Sequence, residues 1–219
     1  MAEPSHDGLF REIDEELRQE HYAKLWKKYG TYIIGAALAL VVGVAGFQGW
    51  RNYDVSTRTA EGMRFAEAQR LMRGDQNEAA ARAFASLAAD ANAGYALLAR
   101  FQDAALLAGQ GDQAGAIIAY RELARDTGID ALYRDLALVL GALHEIDTAD
   151  RAALGQRIAP LTADDNPWRY SAREIIAVLA RRDGDAGKAR ELYSGIANDV
   201  VAPSGIRARA QEMLALLGE

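Results

Sequence analysis

Three histidines, His6, His21 and His144, are the side chains of this 219-residue chain best suited to bind a metal or to move a proton near neutral pH. They are scattered, and none stands at ligand spacing from a second donor, so no metal site is expected. Asp164-Asp165 is a carboxylate pair of the kind that does acid–base work. It leads directly into Asn166-Pro167, however, a helix-start pattern, so it reads as a capping loop. Cysteine is absent, which removes disulfides, thiolate metal ligands, nucleophilic thiols and lipoprotein anchoring together. There is no G-x-S-x-G elbow, no phosphate-cradling glycine loop and no dinucleotide fingerprint. With no convergent constellation, neither catalytic residues nor a cofactor is expected. The net charge of −6 is spread along the chain: residues 1–30 hold five Lys/Arg against seven Asp/Glu, and residues 51–219 hold 20 against 24. No basic stripe is available to track nucleic-acid phosphates.

The elements that carry these residues fall into three stretches. From Tyr29 to Trp50 the sequence YGTYIIGAALALVVGVAGFQGW has no side chain that is charged at neutral pH. As a helix rising 1.5 Å per residue it would extend about 33 Å, enough for a hydrocarbon core of about 30 Å. Tyr29 and Tyr32 at one end, and Trp50 and Tyr53 at the other, form the aromatic belts of a membrane span. A cleaved signal peptide would be shorter and begin nearer residue 1, and a buried core helix rarely runs this long without charge. Lys24, Lys27 and Lys28 precede the span, against Arg51 and Arg58 after it. Cations stay inside, so the N-terminus is expected in the cytoplasm and the C-terminal part outside, in the periplasm if the cell is bacterial.

Ahead of the span, residues 1–28 contain an amphipathic helix. Asp7 can cap it, and Phe10, Ile13, Leu17, His21 and Leu25 recur on one face. This helix either continues the anchor in solvent or docks a cytoplasmic protein.

Residues 51–219 are expected to be all-α. Alanine and leucine dominate, arginine and glutamate fill the polar positions, and strand patterns are almost missing. An internal repeat sets the architecture. Gly111-Asp112 is followed by Ala116 and Tyr120, and Gly184-Asp185 by Ala189 and Tyr193 at the same spacing. Gly74-Asp75 is followed by Ala80 and Phe84 with one extra residue. Each is expected to be the turn and second helix of a helix–turn–helix unit. Glycine ends one helix, aspartate caps the next, alanine lets the pair pack closely, and the aromatic fills the gap to the following unit. The glycines are separated by 37 and 73 residues, which predicts a degenerate unit between them, turning near Asp147, with Ala152, Leu154 and Ile158 on its second helix. The period resembles the tetratricopeptide repeat of about 34 residues, with Ala104 and Ala177 as the small residues of first helices. Residues 204–217 would be the terminal capping helix of the solenoid.

Two binding surfaces follow from this register. First helices would line the concave side of the solenoid, exposing Leu98 and Phe101 there with Arg64, Glu174 and Arg181 from neighbouring units, a surface for a protein partner. In the span, Gly35, Ala39 and Gly43 recur every four residues and would let a second membrane helix, of another protein or another copy, approach closely.

The stretch FREIDEELRQEHYAKLWKKYG, the anchor after it and the divergent repeats together resemble the YfgM-like family of ancillary SecYEG translocon subunits in Gram-negative bacteria. That resemblance implies a non-catalytic, single-pass inner-membrane protein beside the SecYEG translocon. It also implies periplasmic repeats that cooperate with a membrane-anchored chaperone of the peptidyl-prolyl isomerase type. An envelope scaffold for cell division or cell-wall assembly has the same layout and is the alternative.

Overall fold

The structure is a computed structural model that describes the backbone from His6 to Gly218 and the side chains from Tyr22 to Gly218. Among the described residues all regular structure is helical. The helices are α1 (His6–Arg73), α2 (Asn77–Asp90), α3 (Ala93–Gly109), α4 (Gln113–Arg125), α5 (Ala131–Glu145), α6 (Arg151–Ile158), α7 (Arg169–Arg182), α8 (Ala186–Asn198) and α9 (Ser204–Gly218), with a 3₁₀ turn over Ala159–Thr162. Residues 1–59 and 60–219 form two compact units.

In the first unit α1 carries the apolar run. Ile33, Leu38, Leu40, Val42, Val44 and Phe47 are all more than half exposed. The most apolar 18-residue window has a mean hydropathy of 2.0 and only 6% of it is buried, so the helix is long and apolar enough to cross a membrane. Trp26 folds over Gly30, where an added Cβ would sit 3.3 Å from its ring. The amphipathic face assigned to Phe10, Ile13, Leu17 and His21, and the cap assigned to Asp7, lie outside the described side chains.

The second unit is built from helix pairs, and the recurring Gly-Asp turns join two of them as the spacing predicts. Gly111 and Gly184 take φ of 86° and 82°, a left-handed conformation that only glycine adopts cheaply. The next residue then caps the following helix: Asp112 accepts from Gly115 N at 2.9 Å and Asp185 from Lys188 N at 2.9 Å. The first turn departs from this. Its extra residue moves the left-handed position onto Asp75 (φ 57°), and the N-cap of α2 is Gln76, which makes no side-chain cap bond. The expectation that Asp75 caps α2 is therefore corrected.

The second helices bury what the repeat pattern marks. Ala80, Phe84, Ala116, Tyr120, Ala189 and Tyr193 are all buried, as are Ala104 and Ala177 on first helices. Each enclosed large apolar side chain contributes roughly 1.5–3 kcal/mol. Ala210 is buried on α9, and Ile206, Met213 and Leu217 pack with it on the cluster around Tyr193, so α9 closes the last apolar face.

The degenerate unit is α5–α6. Its cap is Asp150, which accepts from Ala153 N at 2.8 Å, three residues beyond the expected turn at Asp147. Leu154 and Ile158 are buried and Ala152 is exposed. Asn166 also acts earlier than expected: its Oδ1 accepts from Trp168 N at 2.8 Å, so a side-chain turn precedes α7 and the helix starts at Arg169 rather than at Pro167.

Candidate interaction surface

The residues expected on the concave side divide into exposed groups and internal ties. Leu98 is 45% exposed on α3. Phe101, which the register leaves either exposed there or packed between units, is partly buried. Its ring centroid lies 6.3 Å from that of Tyr120, within the cluster of Ala104, Ala116, Leu123 and Ala137. Tyr120 of α4 lies between Phe101 of α3 and His144 of α5. Arg64 donates to Ser86 Oγ at 2.9 Å and to Asp90 at 2.9 Å, tying α1 to α2. Glu174 accepts two bonds of 2.7 Å from Arg209 and ties α7 to α9. Arg181 is exposed. Leu98 and Arg181 thus present groups to solvent, while Arg64 and Glu174 hold helices together.

In the apolar segment Gly35, Ala39 and Gly43 are exposed. An added Cβ at Gly35 or Gly43 would meet nothing within 4 Å.

The titratable groups serve the joints between units. Asp126 accepts from Arg100 at 2.6 Å and from Gly128 N at 2.9 Å. The Arg100 bond, more than the backbone bond, holds its carboxyl below the usual range. Asp199 is held down in the same way by Tyr170 Oη at 2.6 Å and by Val201 N. Burial pushes the Asp103 carboxyl up and raises the phenols of Tyr120 and Tyr193. Glu61 is buried and accepts from the backbone and side-chain nitrogens of Asn92 at 2.9–3.0 Å, at the start of α3. Glu145 is buried too, its carboxylate held between Arg121 of α4 and Arg157 of α6. His144 stacks on Tyr120 with ring centroids 5.6 Å apart and bonds Gln113 at 2.9 Å, a packing role. Asp164 pairs with Arg173. Among the described residues no three His, Asp or Glu side chains are grouped to hold a metal ion.

Sequence reasoning missed one concavity. Between α6, α7 and α8 lies a groove of about 590 Å³, floored by Ile176, Leu179 and Ala180 and edged by Arg151 and Lys188. Its signal in the sequence is the degenerate unit itself. Counting from the capping aspartate, the alanine position holds Leu154 and the aromatic position holds Ile158.

Comparison with known families gives the decisive match: the tetratricopeptide repeat-like domain matches residues 23–201. The chain belongs to that family. No curated protein and no solved structure matches it. Tetratricopeptide repeat-like domains are generally non-catalytic scaffolds that mediate protein–protein interaction. The match takes in the apolar part of α1 and stops just before α9, so the tetratricopeptide-like helix pairs of this chain end in a helix outside the matched region.

Proposed function

We propose that this tetratricopeptide-like chain is a membrane-anchored protein-interaction scaffold of the bacterial inner membrane. In this reading its N-terminus is cytoplasmic and its repeats are periplasmic. It stands beside the SecYEG translocon and assists a membrane-anchored chaperone of the peptidyl-prolyl isomerase type acting on exported chains. The observation that carries the proposal is the coexistence of an outward-facing apolar helix with a tetratricopeptide-like helical array in one short chain. An anchor confines a binding surface to the membrane and raises its effective concentration for membrane partners. The lysines at 24, 27 and 28 support the orientation, and the likeness of the N-terminal stretch and layout to the YfgM-like family supports the partner.

Two experiments test it. A reporter active only in the periplasm should work when fused after residue 219 and stay silent when fused near residue 28. Photo-cross-linking in cells from positions beside Leu98 and Arg181, followed by mass spectrometry, should recover translocon subunits and the isomerase-type chaperone. Reversed reporters would overturn the location, and recovery of division or wall-assembly proteins instead would overturn the partner.

A further inference from the structure

The groove between α6, α7 and α8 exists because the third helix pair lost its repeat chemistry. In the regular pairs an alanine lets the helices pack closely, and an aromatic ring fills the space toward the next unit. Here the crossing residue is Leu154, packed with Val139 and Ala142 of α5, and Ile158 is smaller than the ring it replaces. α6 also has only eight residues, against 13 in α4 and 13 in α8, because the chain turns into the 3₁₀ segment at Pro160. The side of α8 that holds Lys188 and Leu192 is therefore left without a full-length neighbour. Small residues, Ala152 and Gly155 of α6 and Ala159 of the 3₁₀ turn, line that wall and keep the space open. Beyond Gly155 an added Cβ would stand 3.9 Å from Leu179, in ordinary contact, so the wall is smooth and not strained.

The electrostatics of the groove are one-sided. Its lining contains Arg151, Arg173 and Lys188 against a single carboxylate, Asp183. Asp183 is engaged by Arg151, and Arg173 is held by the Thr162 carbonyl and by Asp164, so the surplus positive charge is that of Lys188. Lys188 is exposed and has no ion pair among the described residues. An apolar floor beneath a rim with surplus positive charge fits a ligand that is apolar and anionic at once. A volume of about 590 Å³ accommodates a few side chains rather than a whole helix.

We infer that this groove is a second docking site of the scaffold, taking a polypeptide segment that carries apolar side chains next to a carboxylate. It rests on the reading of the chain as a protein-interaction scaffold. It is flanked by two second helices, whereas the surface expected from the repeat register runs along the first helices. The apolar side chains lie on Ile176, Leu179 and Leu192, and the carboxylate meets Lys188.

The test uses the full chain in detergent micelles and two fluorescein-labelled peptides with the same leucines, one carrying glutamates and one carrying lysines. Fluorescence anisotropy should show binding of the glutamate peptide and none of the lysine peptide. Ala152→Trp, which plugs the groove from an exposed position, and Lys188→Glu should each weaken binding by about tenfold or more. Ala153→Trp, exposed on the same helix but outside the groove lining, should leave it unchanged. Matching helical circular dichroism and melting among the variants keeps a folding defect separate from a binding one. The inference is overturned if the glutamate peptide does not bind, if the lysine peptide binds as well, or if the plug and the charge reversal have no effect. Because the reporter and cross-linking experiments do not depend on this groove, an unchanged result there with no peptide binding here sinks the groove alone.

Discussion

The pairs α3–α4 and α7–α8 and the pair α5–α6 solve the same packing problem by different means. In the former, an alanine at the crossing brings two helices together and an aromatic ring reaches the next unit. Tyr120 of α4 lies so close to α5 that a Cβ added at Gly141 would stand 3.2 Å from its own Cβ. In α5–α6 the crossing residue is Leu154, and a buried carboxylate, Glu145, gathers Arg121 and Arg157 from α4 and α6. A helix pair can thus admit a larger crossing residue, keep its apolar cluster with Val139, Ala142 and Ile158, and add an ionic tie. The difference appears as a groove on the side of α6 that faces α8.

The largest effect is expected from the tie. Replacing Arg121 and Arg157 together with leucine leaves Glu145, only 4% exposed at its side chain, without a cation. Urea unfolding should register a loss of about 3–5 kcal/mol, and replacing Glu145 with leucine in the same background should recover most of it. A loss near zero would mean that the apolar cluster alone holds this pair.

Next come the crossing residues, exchanged in both directions. Leu154→Ala should cost about 2–5 kcal/mol, because it leaves a cavity in the buried cluster of α5, α6 and α7. Ala116→Leu and Ala189→Leu, in pairs that are closed, should each cost about 1–3 kcal/mol by overpacking. If Leu154→Ala is harmless, α5 and α6 close readily and the two kinds of pair do not differ.

The turns give a smaller contrast. Asp185→Ala removes a cap bond and should cost about 1 kcal/mol in thermal or chemical unfolding. Asp75→Gly should instead raise stability, by up to about 1 kcal/mol, because it relieves a positive φ at a residue that caps nothing. A loss of similar size from both substitutions would break the distinction between the first turn and the other two.

The smallest effect is with pH. Asp126 and Asp199 have carboxyls held below the ordinary range, by Arg100 and by Tyr170 respectively. Their contribution is present above the unfolded-state value of about 3.9 and is lost as the pH falls through the lower folded value. Asp126→Asn should flatten the acid limb of a stability–pH curve. An unaltered limb would assign the acid sensitivity to other joints.

Much of this was legible in the residues. The apolar run from Tyr29 to Trp50, the helical composition and the Gly-Asp-Ala-aromatic spacing are all local, and each follows from chemistry within one or two turns of helix. Glycine was needed where φ is positive, and an aspartate after it could reach the next helix's backbone amides. The single extra residue after Gly74 was visible too, but not its consequence, since which residue takes the left-handed position depends on how both flanking helices end. Phe101 and Glu174 show the limit more plainly. On a helix wheel both face outward, yet one is covered by Tyr120 and the other by Arg209, from α4 and α9 respectively. Spacing along one helix sets which side of it a residue occupies. Only the packing of helices distant in sequence decides whether that side meets solvent, another unit or the open groove beside α6.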